Sequence, residues 1–240
     1  MEIFESWNEG VQAADLSELG QEDLESASLE QELTEVPGVG EVLVGGDPFE
    51  VAPRLDDCQG DNFYNFQGDC GLVSVCNILE MADVHTSEDE VVGRAIILGL
   101  CEYSELNDPA DNGGTSVLDR KVMLETYGIS TVILDSKSEA GSLEALARYV
   151  EAGHGVNISV NAGYAWDNPS YIGDGGSNHS IIVTGAAWDP DTGALKGLFV
   201  CDSGLTNEPS AARFLSAEVL QDAYLDAPGC TALVTTESIR

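Results

Sequence analysis

A change of hydrophobic period partway along the chain restricts its fold more than any other feature. In CGLVSVCNILEMADV, Leu72, Val73, Val75, Cys76, Ile78, Leu79 and Ala82 recur at helical spacing and predict a largely buried helix opening near Cys70. SEDEVVGRAIILGL and SVLDRKVMLETYG read as two more helices, the second stopped by Gly128, and SLEALARYVEAG as a fourth, with STVILD a short strand between. Beyond them the period changes: GVNISVNA, HSIIVTGAAWD, LKGLFVCDS and CTALVTTES are β-branched, partly alternating runs bounded by Gly, Pro and Asp, with SAEVLQDAYL helical between the last two. Helices first and antiparallel strands later is an α+β order, an N-terminal helical part followed by an antiparallel sheet, and implies two layers.

At 240 residues the chain holds one domain with room for an appendage. Residues 51–240 read as the main domain and 1–50 as an acidic extension. Before Arg54 there is no Lys or Arg, and Leu16, Leu19, Leu24, Leu29 and Leu33 recur among acids, as in one or two amphipathic helices ended by VPGVG. Nine basic residues against 43 acidic give a net charge of −34, which repels nucleic acid and anionic membranes. Such a surface either solvates the protein at high salt or outside the cell, or attracts a basic substrate or partner. No apolar run approaches the roughly 20 residues that span a bilayer, so no membrane insertion is expected. MEIFESWNEG lacks the basic and apolar regions of a cleavable signal, which leaves a soluble protein, cytoplasmic or exported by another route.

Six cysteines without CxxC spacing argue against a zinc site or a dense disulfide framework, and most read as small core residues. The turns DPADNGG and DPDTG lack EF-hand spacing. No metal or organic cofactor is implied.

With only three histidines, elimination is strong. His85 follows the Cys70 helix and His154 sits in the turn EAGHG, so each reads as a turn residue, whereas His179 opens a strand directly after the glycine-rich GDGGSN. Pairing the flanking strands about DPDT sets His179 opposite Asp202. An aspartate there accepts from Nδ1 and leaves Nε2 to face a nucleophile; the alternative is that Asp202 only begins the turn DSG. Cys70 stands in the first turn of its helix, where free backbone N–H groups and the helix dipole favour a thiolate. Gly71 would let substrate approach the backbone, and the Gln67 amide would join the Cys70 N–H in stabilising an oxyanion. In GYAWDNPSYIGDGGSN, the aromatic residues Tyr164, Trp166 and Tyr171, with Gly176 and Asn178, read as the cleft rim or as an ordinary surface loop.

The order Cys, His, Asp, with QGDCGLVSVCNIL opening a helix and NHSIIVTGAAWD paired to GLFVCDSG, resembles papain-like cysteine peptidases of the double-glycine (C39-like) branch and related bacterial papain-fold toxin domains. The resemblance covers roughly residues 58–238. It implies a papain-like fold with Cys70 as nucleophile, His179 as base, Asp202 as orienting acid and Gln67 at the oxyanion position, for which Asn65 and Tyr64 are alternatives. It implies a cysteine endopeptidase working through a thioester on a protein or peptide, as a processing protease or a secreted effector. Deamidation, transglutamination, acyl transfer or non-catalytic binding on the same scaffold are the rival readings. LVGG at residues 43–46, preceded by an acidic leucine-rich stretch, resembles the sites and leaders such peptidases cut. Self-processing after Gly46, or a contact of residues 1–50 with the cleft, would follow; a solvated helix and a Gly turn is the plainer alternative.

Overall fold

The structure is a computed structural model that describes residues 31–55, 57–204 and 212–240. The acidic helices expected around Leu16, Leu19, Leu24 and Leu29 lie outside the described residues.

The described chain begins with a hairpin, β1 (Glu32–Val36) and β2 (Gly40–Gly46), followed by a one-turn helix α1 (Pro48–Val51). Leu33 is therefore in a strand, not a helix. VPGVG is the hairpin turn: the Val39 N–H donates to the Val36 carbonyl at 3.0 Å and Gly38 takes φ +78°. Alternation decides against the helix, because Val42 and Val44 point inward from β2 and are buried with Val36 against Ala187 and Phe199.

Three helices come next, as the periodicity predicts: α2 (Cys70–Met81), α3 (Glu88–Leu98) and α4 (Val117–Glu125). Both α3 and α4 open on capping boxes, Ser87 with Glu90 and Ser116 with Asp119, which satisfy otherwise free N–H groups at each start. After β3 (Thr131–Asp135), helix α5 (Leu143–Glu151) is capped by the Ser142 hydroxyl. Strand β4 (Val156–Val160), the single turn α6 (Ala162–Ala165), β5 (His179–Trp188), β6 (Leu195–Cys201), β7 (Arg213–Ser216), α7 (Ala217–Leu220) running into a π-helical turn over Gln221–Asp226, and β8 (Thr231–Thr235) complete the order.

All pairings are antiparallel, and β5 is the central strand. Along one edge it pairs first with β4, through residues 179–183, and then with β2, through residues 185–188; β6 follows the other edge. Residues 32–46 thus belong to the same sheet as the rest of the domain, and LVGG is a laddered strand with Gly46 opposite Gly185. At the changeover a Cβ on Gly185 would lie 2.7 Å from Pro48 Cδ and 2.9 Å from the Gly45 carbonyl oxygen. Gly185→Ala is expected to lower stability by about 1–3 kcal/mol through overpacking, read as a lower urea midpoint.

Every position of β5 is buried. Ile181 and Val183 pack with Leu146, Ala147 and Val150 of α5, while Ile182 packs with Leu72, Val75 and Leu79 of α2. The expected two layers are therefore three, with helices on both faces. HSIIVTGAAW is apolar on both sides and needs cover on both. The mixed helix and antiparallel-sheet class is as expected. Among the described residues no helix is long and apolar enough to cross a membrane.

Candidate active site

Cys70 is the first residue of α2, and its thiol meets His179, the first residue of β5. His179 Nε2 lies 2.8 Å from Asp202 Oδ1, with both side chains buried. The three residues expected to act together are adjacent, but two details differ. The β5–β6 ladder pairs Ile182 with Cys201, so the same register sets Asp202 opposite Ile181, two residues from His179. A two-residue offset keeps both side chains on one face, and they meet diagonally. The ring is also turned: Nε2 faces the carboxylate, which leaves Nδ1, not Nε2, to the thiol.

Asp202 is fully buried among donors. Its Oδ1 also accepts from the Gly204 N–H at 3.1 Å, and Oδ2 accepts from Trp166 Nε1 at 2.7 Å and Arg213 Nη1 at 3.3 Å. Burial alone would raise its pKa; the bond and charge of His179, with Trp166 and the Gly204 N–H, hold it below the ordinary carboxylate range. Burial disfavours the His179 cation, yet the bonds to Asp202 and Cys70 and their charges lift it to about 10. Burial also pushes the Cys70 thiol up, but the His179 bond and charge, the Arg120 charge and the Ser180 N–H outweigh it and hold the thiol below its usual value. Elsewhere burial wins: Cys101 and Cys230 rise to about 11, Cys201 to about 12, and Cys76 well above the usual range. The contact therefore shifts Cys70 toward the thiolate and His179 toward the imidazolium.

A cleft of about 640 Å³ opens beside Cys70 and His179, lined by Gly114, Thr115, Arg120, Ser159, Gly176, Asn178 and Thr231 among others. Gly176 and Asn178 are among the lining residues. Asn178 also ties the loop together, its Oδ1 accepting from the Ala162 N–H and its Nδ2 donating to the Tyr171 carbonyl. Tyr164 is exposed and does not line this cleft. Trp166 and Tyr171 do not line it either: Trp166 lies behind His179, bonded to Asp202, with its ring meeting the imidazole edge-on at a centroid distance of 5.0 Å and Tyr171 at 4.9 Å. Gly204 is needed here, because its Cβ would fall 2.6 Å from Trp166 Cζ2 and 3.1 Å from His179 Cε1.

Two assignments are corrected. Gln67 is exposed, and its amide donates to the Gly60 carbonyl at 3.4 Å, away from the cleft. The turn before Asp69 points that side chain outward. Tyr64 and Asn65 do not line the cleft either. Gly71 faces protein, not substrate: its Cβ would lie 2.0 Å from Thr115 Oγ1 and 3.1 Å from Arg120 Cδ. The other histidines are remote from the thiol, His154 Nδ1 on the Thr235 carbonyl at 2.9 Å and the exposed His85 on Glu80 at 3.0 Å.

Directly before Cys70, Asp69 is fully buried and shares the Asn62 amide with Glu88, at 3.0 and 2.7 Å. Burial raises both acids, Glu88 to about 9, so Glu88 holds a proton at neutral pH and bonds to the Asp69 carboxylate. Its position in the acidic run SEDE gives no sign of this.

No family model matches the chain. Over 91 residues it is 33% identical to uncharacterized proteins of Mycobacterium bovis and Mycobacterium tuberculosis, a match spanning 34% of this chain and 39% of their length. Among solved structures, a double glycine motif protease from an AMS/PCAT transporter, in complex with the leader peptide, aligns with a TM-score of 0.42 at 12% identity, covering 70% of this chain and 84% of that one.

Proposed function

We propose that the protein is a papain-like cysteine peptidase. The hydrogen-bonded line from Cys70 through His179 to the buried Asp202, at the edge of an open cleft, carries the reading. The Cys70 thiolate adds to the scissile carbonyl, and the oxyanion is met by the Cys70 N–H, which at the first turn of α2 has no intrahelical acceptor. As the C–N bond breaks, the leaving amine takes the proton from His179 Nδ1 and a thioester remains. His179 then accepts a proton from water, which attacks the thioester and releases the acid and the thiol. Asp202 keeps the ring oriented throughout.

The test is mass spectrometry of wild type and Cys70→Ala incubated with a mixed protein substrate. New termini that require Cys70 are expected; Cys70-dependent conversion of glutamine to glutamate, or of glutamine to a new amide, would replace peptidase by deamidase or transferase. Iodoacetamide is expected to alkylate Cys70 at a rate that stays near its plateau below pH 8.5, the ordinary thiol value. A rate rising tenfold per pH unit through neutrality would refute the ion pair.

A further inference from the structure

Arg120, which no motif singled out, lies on α4 at the wall of the cleft. It is only 5% exposed, its Nη2 donates to Ser159 Oγ at 2.7 Å, and its Nε is buried with no partner. Among the described residues no carboxylate lies within ion-pair distance of it, although Arg54, Arg148, Arg213 and Arg240 each hold at least one, only the exposed Arg94 shares the lack, and the chain has 43 acids to choose from. The adjacent Asp119 is committed to capping α4, its Oδ2 accepting from the Ser116 N–H and hydroxyl at 2.8 and 2.7 Å. Asp174, the acid that lines the cleft, accepts from the Gly176 N–H.

A guanidinium taken out of water needs an anion. The Cys70 thiolate, which lines the same cleft, favours the Arg120 cation more than does Asp119, whose carboxylate is already committed to Ser116. Acylation removes that negative charge and would leave Arg120 unmatched through the life of the thioester. We propose that Arg120 is the specificity anchor of a subsite for a carboxylate on the acyl half of the substrate, the side chain of an aspartate or glutamate near the scissile bond. A guanidinium whose Nε–H has no partner suits such a group, and the hydroxyls of Ser159, Thr115 and Thr231 along the same wall supply further donors. This rests on the peptidase reading.

The test separates the two. Binding of fluorescent tetrapeptide sublibraries that differ only in Asp or Glu against Asn or Gln, each with free and amidated C-termini, is measured on Cys70→Ala, with hydrolysis of the same sublibraries followed on wild type. Acidic members are expected to bind at least tenfold more tightly than their amides whatever the C-terminus. Cys70→Ala/Arg120→Met should reduce that ratio to near one, and Arg120→Lys should keep part of it, with circular dichroism confirming that both fold. A preference that follows the free C-terminus would move the carboxylate to the α-carboxyl and overturn the side-chain assignment. Equal binding of acids and amides by Cys70→Ala overturns the subsite even if wild type cleaves well. Acid preference in a protein that cleaves nothing keeps the subsite and removes the peptidase.

Discussion

Asp202→Ala is expected to lower stability by about 3–5 kcal/mol, because it strips the shared acceptor from a buried cluster of donors and leaves a buried cation unpaired. His179, Trp166, Arg213 and the Gly204 N–H all converge on that carboxylate. Asp202→Asn is no rescue: its amide hydrogens would face donors on whichever oxygen they replaced. The pH dependence has a definite sign for each partner. Asp202 is depressed on folding, so its contribution is present above the unfolded value near 3.8 and is lost as pH falls through the folded one. His179 is raised from 6.5 to about 10, so its contribution is full below 6.5 and fades as pH climbs to about 10. Thermal unfolding should be most resistant between those limits, and the variant should lose this dependence. Nuclear magnetic resonance of His179 should show its titration falling from about 10 to 6.5 or lower in Asp202→Ala, with iodoacetamide reactivity at pH 6 reduced at least tenfold. A His179 titration unmoved by the substitution would mean that Asp202 does not hold the ring.

The second large effect belongs to Glu88. It is raised from 4.5 to about 9, so the sign is that of a group stabilised when protonated: its contribution is complete below pH 4.5 and is lost as pH rises toward 9. A tenfold change in proton affinity on folding corresponds to about 1.4 kcal/mol. Because the proton is shared with Asp69, roughly half of the full conversion, on the order of 3 kcal/mol, is assigned to Glu88. Glu88→Gln keeps a donor for Asp69 and an acceptor for Asn62 but cannot ionise. Urea unfolding at pH 5 and pH 9 should therefore show the variant gaining on wild type by that amount between the two. Parallel losses in both proteins would show that the acid pair is not protonated as described. Since Asp69 immediately precedes Cys70, ionisation of Glu88 is also expected to loosen the start of α2, visible as faster amide exchange there at pH 9.

How much of this was readable in the residues depends on how local the cause is. Helices α2 to α5 and strands β4, β5, β6 and β8 follow from hydrophobic period and from Ser-led helix starts. The β1–β2 hairpin does not, because its acidic strands gain their apolar contacts only from a partner far down the chain. Elimination among three histidines pointed to His179 and strand pairing to Asp202, and the two side chains do meet despite the two-residue offset, since period two preserves the face. Ring orientation is a rotamer choice that no spacing encodes. Arg120 did leave a trace: three residues after Val117 and four before Leu124, it sits on the apolar stripe of α4, where a charge demands a reason. Gln67 looked suitable by type and proximity, but one turn of backbone decides where an exposed side chain points.

The pairing of β2 with β5 also governs when the domain can finish assembling. During synthesis the hairpin leaves the ribosome first, while the strand it completes follows only after α2 to α5 have been made. Until then β2 presents an unpaired edge rich in valine, of the kind that recruits other chains. The hairpin's own acids, Glu32, Glu35 and Glu41, set like charges along that edge, and like charges oppose its pairing with the same edge of another chain.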